Sequence, residues 1–209
     1  MITRRVAPLT LLVLLALAGL GACTLLPDAQ TYTAYQLPPP EEEDAADAED
    51  TVEWTLRVAT PGSSDLLAGN RIAVATGSHR MSAFRDARWV SSLPRLWQEQ
   101  LIDTFRADGR IQHLSADGER IAADLELRTT LRAFEMETAG DDAPPQARVV
   151  VDARLVDIGQ RRIVAAQRFA ASSEASAGDA PAAVAALGAA NRSVNRELVA
   201  WTLASAPEP

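Results

Sequence analysis

The chain has 209 residues, 20 basic and 28 acidic, and a formal net charge of −8. That length suits one ordinary domain with appendages, whose core can stand without covalent staples. A single cysteine excludes an internal disulfide framework and a cysteine-rich metal site, and the acidic balance with 5% aromatic residues argues against a nucleic-acid surface. Every basic residue is arginine. A guanidinium fork suits phosphate and carboxylate, but a compositional bias acting on solvated positions accounts for the same fact.

Arg4 and Arg5 precede an uncharged stretch from Val6 to Leu20, rich in Leu, Val and Ala. It is shorter than the roughly 20 residues that a membrane-spanning helix needs, and it reads as the apolar core of a secretory signal. Leu20, Gly21, Ala22 and Cys23 follow. This run resembles a lipobox, the cleavage site of bacterial lipoproteins. The resemblance implies cleavage after residue 22, a diacylglycerol on the Cys23 sulfur and an acyl chain on its new amine, with no other cofactor. Several chains at about 0.8 kcal/mol per buried methylene hold a protein on a bilayer almost permanently. Thr24, rather than Asp, follows the cysteine; by the sorting rule of enteric lipoproteins this points to the outer membrane.

Residues 23–52 read as a tether. Pro38, Pro39 and Pro40 favour polyproline geometry. Glu41 to Asp50 carries seven acids separated only by Ala, a run that repels itself and has nothing to bury. The folded domain is expected over 53–204, with a tail at 205–209.

Within the domain, Trp54, Leu56 and Val58 alternate as in a half-buried strand, which Pro61-Gly62 breaks. Arg71 to Thr76 reads as a second strand and Met81 to Phe84 as a short edge strand. Ser91 or Ser92 caps a helix with Pro94 in its first turn. Leu93, Leu96, Trp97, Leu101 and Phe105 form its apolar stripe, and Gly109 supplies a left-handed end. Ile111 to Leu114 reads as a short strand. Ala123 to Glu137 is a long one whose apolar residues change parity, which requires a bulge near Ala133. Ala147 to Asp157 and Arg161 to Ala171 form a hairpin around Gly159. Asp179 and Pro181 open a last helix with Val184, Leu187, Val194, Leu198 and Trp201 on one stripe. The expected fold is a single small α/β layered domain, with α+β as the alternative: a mixed sheet of about five strands and two main helices.

Chemistry finds little to work with. His79 lies in a turn sequence and His113 on the solvent side of a strand, and neither has the neighbours of a zinc site. Asp124 and Glu126 share a face with Arg128 and Arg132, a mixed charged face rather than an acid pair. No nucleophile elbow, phosphate-binding glycine loop or metalloprotease helix is present. No enzymatic activity is expected, and no bound metal.

The order of features resembles a known family. Cys23 is followed by Tyr35-Gln36-Leu37-Pro38, then by Ile72-Ala73-Val74. Next come the run from Arg80 through Phe84 to Arg88-Trp89 and the start of a helix at Leu93-Pro94-Arg95-Leu96. A strand ending in Phe134-Glu135, another near Phe169 and a helix reaching Trp201 complete the set. Together they resemble the ABC-type transport auxiliary lipoproteins, the family of the paraquat-inducible operon's lipoprotein. That resemblance implies a fold of the anticodon-binding or TolB amino-terminal kind. The implied partners are an MCE-domain protein and an ABC transporter moving lipids or other hydrophobic molecules between two membranes. It further implies a lipid-anchored subunit on the inner leaflet of the outer membrane, facing the periplasm, and leaves homo-oligomerisation open. Trp89, with Arg88 and Arg80, is the candidate partner contact, because large aromatics concentrate interface energy; the alternative for Trp89 is a core plug between helix and sheet. A regulator of cell-wall synthesis built on a TolB-like domain is the rival reading.

Overall fold

The chain was analysed as a computed structural model that describes residues 31–40, 51–77, 80–119, 121–138 and 144–207. Cys23 with Leu20, Gly21 and Ala22, the acidic run Glu41 to Asp50, and His79 lie outside the described residues. In chain order the elements are β1 (Thr33–Tyr35), β2 (Leu56–Val58), β3 (Gly62–Ser63), α1 (Asp65–Ala68), β4 (Arg71–Thr76), β5 (Arg80–Trp89), α2 (Leu93–Asp108), β6 (Leu114–Ala116), β7 (Leu125–Thr138), β8 (Gln146–Asp157), β9 (Arg162–Glu174) and α3 (Ala180–Ser205).

The sheet is organised around β7. One of its edges is filled three times by parallel segments in succession: Leu56 faces Leu125, Gly62 faces Thr130 and Ala73 faces Glu135. The other edge pairs antiparallel with β8 over its whole length, and β8 pairs with β9. From β4 the sheet continues through β5 to β1, and from β2 to β6. The mixed α/β architecture and its two main helices are as expected; among the described residues the sheet has nine strands rather than about five, and the four-residue α1 is added. The extra strands are two or three residues long, and their pairing comes from non-local partners rather than from local alternation.

The predicted bulge is present. The register of β7 against β8 shifts between Leu131 and Ala133. The extra residue turns Phe134 and Met136 to the same side as Leu125, Leu127 and Leu131, and all five are buried. Against this face lie α2, through Leu96, Trp97, Leu101 and Phe105, and α3, through Leu187, Val194 and Leu198. Complete burial of each such side chain contributes about 1.5–3 kcal/mol before chain entropy is set against it. Gly109 ends α2 at φ 78°, and its N–H donates to the Phe105 carbonyl. Ser92 occupies the N-cap position of α2 without a side-chain cap bond, whereas Asp179 Oδ1 accepts from the Ala182 N–H at the start of α3.

Four expectations are corrected. Ordered packing reaches N-terminal of residue 53: Thr33–Tyr35 pair in parallel with Ala87–Trp89, and Leu37 is buried. The segment predicted as an edge strand over Met81 to Phe84 runs from Arg80 to Trp89 and lies between β4 and β1. The short strand near residue 111 is Leu114–Ala116, while Ile111 makes only an isolated bridge to Val52. The last strand continues through Glu174. The hairpin around Gly159 is as expected, and its left-handed residue is Arg161, at φ 55°.

Candidate functional site

The three predicted contact residues do not form one surface. Trp89 is 1% exposed. Its ring stands edge-on to Phe134, with centroids 6.0 Å apart and an angle of 75° between the planes. Its backbone N–H donates to the Asn70 carbonyl at 2.7 Å. It is a core plug, because its side chain lies in the buried hydrophobic cluster against Phe134. Arg88 is half-buried and folds back on its own strand: Nη1 donates to the carbonyls of Phe84, Arg85 and Ala87 at 2.8, 3.1 and 2.7 Å. Its guanidinium carbon also sits 5.9 Å from the centre of the Tyr32 ring, an attraction between cation and aromatic face. Arg88 therefore fastens the N-terminal segment to β5. Only Arg80, at the far end of β5, is exposed.

The other sequence candidates fall as read. His113 is exposed, and only its backbone carbonyl is engaged, by the Leu56 N–H at 2.9 Å. Asp124 accepts from the Thr55 N–H at 2.8 Å, a loop-fixing role. Glu126 is shared between Arg57 and Arg128. Among the described residues no group of three or more His, Cys, Asp or Glu could hold a metal ion. No helix among them is long and apolar enough to cross a membrane.

The solvent-facing side of β7, β8 and β9 carries a ladder of ion pairs. At its centre Asp152 accepts from Arg132 Nε at 2.7 Å and from Arg168 Nε and Nη2 at 2.6 and 3.0 Å. The Arg168 hydrogen bond, reinforced by the one from Arg132, holds the Asp152 carboxyl down from 3.8 to about 2 against some loss of hydration. Its folded value lies below that of the unfolded chain. The stabilisation is therefore present above about pH 4 and is lost as the pH falls toward 2. Both partners are open to solvent, so screening keeps the contribution to about 1 kcal/mol. In Asp152→Asn the stability lost between pH 5 and pH 2, measured by urea unfolding, should shrink by about that amount. Glu135 acts in the opposite sense: burial raises its carboxyl, with the Phe134 backbone hydrogen bond opposing, so it adds stability only at low pH.

β9 forms the outer edge beside this ladder. Among the described residues it pairs only with β8. It runs for 13 residues, contains no proline, and carries charge only at Arg162, Arg168 and Glu174. At about 3.3 Å per residue it presents roughly 40 Å of open backbone donors and acceptors.

The family model described as "ABC-type transport auxiliary lipoprotein component" matches residues 35–199. The chain belongs to this family. The matched span opens at the last residue of β1 and closes in α3. Protein XCC0632 of Xanthomonas campestris, whose crystal structure is known, superposes with a TM-score of 0.74 at 26% identity, over 83% of this chain and 96% of that one. A second crystal structure, of an uncharacterized protein, gives a TM-score of 0.62 at 16% identity over 82% and 98% of the two chains, and speaks for the fold alone. The uncharacterized protein bll6063 of Bradyrhizobium diazoefficiens is 29% identical over 154 residues, which is 73% of this chain. The chain spans only 40% of that relative's length. Membership of a lipoprotein family places the protein in the bacterial cell envelope.

Proposed function

We propose that the protein is a non-enzymatic accessory subunit of an ABC/MCE-type system that moves lipids or other hydrophobic molecules between the two membranes. In this reading the acylated Cys23 holds it in the inner leaflet of the outer membrane, and the folded domain docks the periplasmic end of the assembly. The family match over residues 35–199 carries the proposal. Three further observations support it. The only cysteine follows Leu20-Gly21-Ala22, where a lipoprotein peptidase needs it. Thr24 lacks the acid associated with inner-membrane retention. With Trp89 and Arg88 taken up by the fold, the long edge of β9 is the best remaining device for gripping a partner, by adding a partner strand to the sheet.

Photo-crosslinking residues at Ala166 and Ala170, both exposed on β9, test this in intact cells. Capture of an MCE-domain protein is the expected result. The double variant Ala166→Lys with Ala170→Lys should abolish co-purification while leaving the melting temperature within a few degrees, because lysines protect a strand edge from pairing. Capture of a peptidoglycan synthase with no MCE protein would replace this reading with the rival one.

A further inference from the structure

At the turn between β8 and β9 an open groove of about 420 Å³ is lined by Arg128, Arg154, Val156, Ile158, Arg161, Arg162 and Ile163. Four arginines thus converge in a chain whose net charge is −8. Two of them, Arg128 and Arg154, stand directly opposite each other in the β7–β8 register. Like charges facing across a strand pair are destabilising. Elsewhere on this sheet face arginines meet carboxylates: Arg132 and Arg168 meet Asp152, and Arg148 meets Glu137. In the groove Arg128 leans on Glu126, and Arg162 donates to Gln160. No ion pair or hydrogen bond of the Arg154 or Arg161 guanidinium occurs among the described residues. Beside these cations lies aliphatic surface, with Ile163 56% exposed.

We propose that this groove binds a phosphate-bearing amphiphile. The Arg154 and Arg161 guanidinium groups take the phosphate oxygens, relieving the repulsion between Arg128 and Arg154, while Val156, Ile158 and Ile163 take the first methylenes of an aliphatic chain. Guanidinium forks match phosphate, and the paired charged hydrogen bonds are the strong kind. A groove of this size holds a headgroup and the start of a chain, not a whole lipid. The proposal rests on the chain's own residues and does not depend on the transport reading.

The test uses the full-length lipoprotein in maltoside detergent, titrated calorimetrically with dihexanoyl phosphatidic acid, dihexanoyl phosphatidylcholine and glycerol 3-phosphate. The phosphatidic acid should bind tightest. The double variant Arg154→Gln with Arg161→Gln should weaken it by about tenfold or more, the loss expected when charged hydrogen bonds are removed. Arg148→Gln, whose arginine meets Glu137, should leave it within about twofold, as expected of an exposed pair elsewhere on the face. Ile163→Ser should weaken the phosphatidic acid and not glycerol 3-phosphate. Without ligand the double variant should melt no lower than the parent, because it relieves a like-charge contact. Glycerol 3-phosphate binding as tightly as the phosphatidic acid would overturn the aliphatic half of the site and assign it to free phosphate esters. No binding of the phosphatidic acid, or equal binding by parent and double variant, would overturn the whole.

Discussion

Replacing Trp89 with alanine is expected to cost about 3–5 kcal/mol of stability, the range for deleting a buried aromatic. For a domain of this size that lowers the melting temperature by on the order of 10 °C. The reasons are local. The ring is 1% exposed and meets Phe134 edge to face, and its strand pairs with Thr33–Tyr35 along its edge. The cavity left between β5 and β7 would take Phe134 and the N-terminal segment with it. Phenylalanine should be the milder substitution. It keeps most of the ring volume and removes an indole N–H that has no acceptor among the described residues. Met81→Ala, on the same strand but 48% exposed, should change stability by no more than about 0.5 kcal/mol. Differential scanning calorimetry of the three variants decides the matter. An unchanged melting temperature in Trp89→Ala, with partner capture lost, would return Trp89 to the surface.

Gly188 is the second position where a small change should act strongly. It lies in the middle of α3, where helix propensity alone predicts that alanine would gain about 1 kcal/mol. A Cβ built there, however, comes 2.6 Å from both Cγ and Cδ of Pro38 and 3.3 Å from its Cβ. Real Cβ atoms do not approach that closely, and a proline ring cannot rotate aside. Either α3 must retreat from the sheet or Pro38 must lift away, drawing the buried Leu37 with it. The clash outweighs the propensity, and Gly188→Ala should lose about 1–3 kcal/mol net, the cost of overpacking. Pro38→Ala combined with Gly188→Ala should recover much of that loss, because the two residues share the contact. A rise in stability for Gly188→Ala alone would show that the segment around Pro38 is not seated on the helix.

These two sites also mark where sequence reasoning reached and where it stopped. Features fixed within a few residues were legible. The Arg71–Thr76 strand, the parity change near Ala133, the left-handed Gly109 and the Asp179 cap each follow from local periodicity or backbone sterics. Features fixed by distant partners were not. That the extended segment Thr33–Tyr35 joins the sheet depends on the open edge offered by β5. Pro38 reads as spacer until it is seen against Gly188; a lone glycine in a helical stretch was the available clue. Arg85, Asp86 and Arg88 broke the apolar pattern and hid the continuation of β5 to Trp89, so a core residue looked like a surface one. The arginine groove was invisible because its residues come from three strands and a turn whose left-handed position is occupied by Arg161 rather than glycine. The proposed attachment residue is the reverse case: Cys23 is read from its neighbours in sequence alone and lies outside the described residues.

In the function proposed above, an acylated amino terminus turns this folded domain into an envelope subunit, and mass spectrometry of the protein purified from its native membranes addresses that most directly. The expected spectrum has Cys23 as the first residue, with a thioether-linked diacylglycerol on sulfur and a further acyl chain on the amine. A free Cys23 thiol behind an intact or differently cleaved leader, or recovery of the chain in osmotic-shock fluid, would contradict the account.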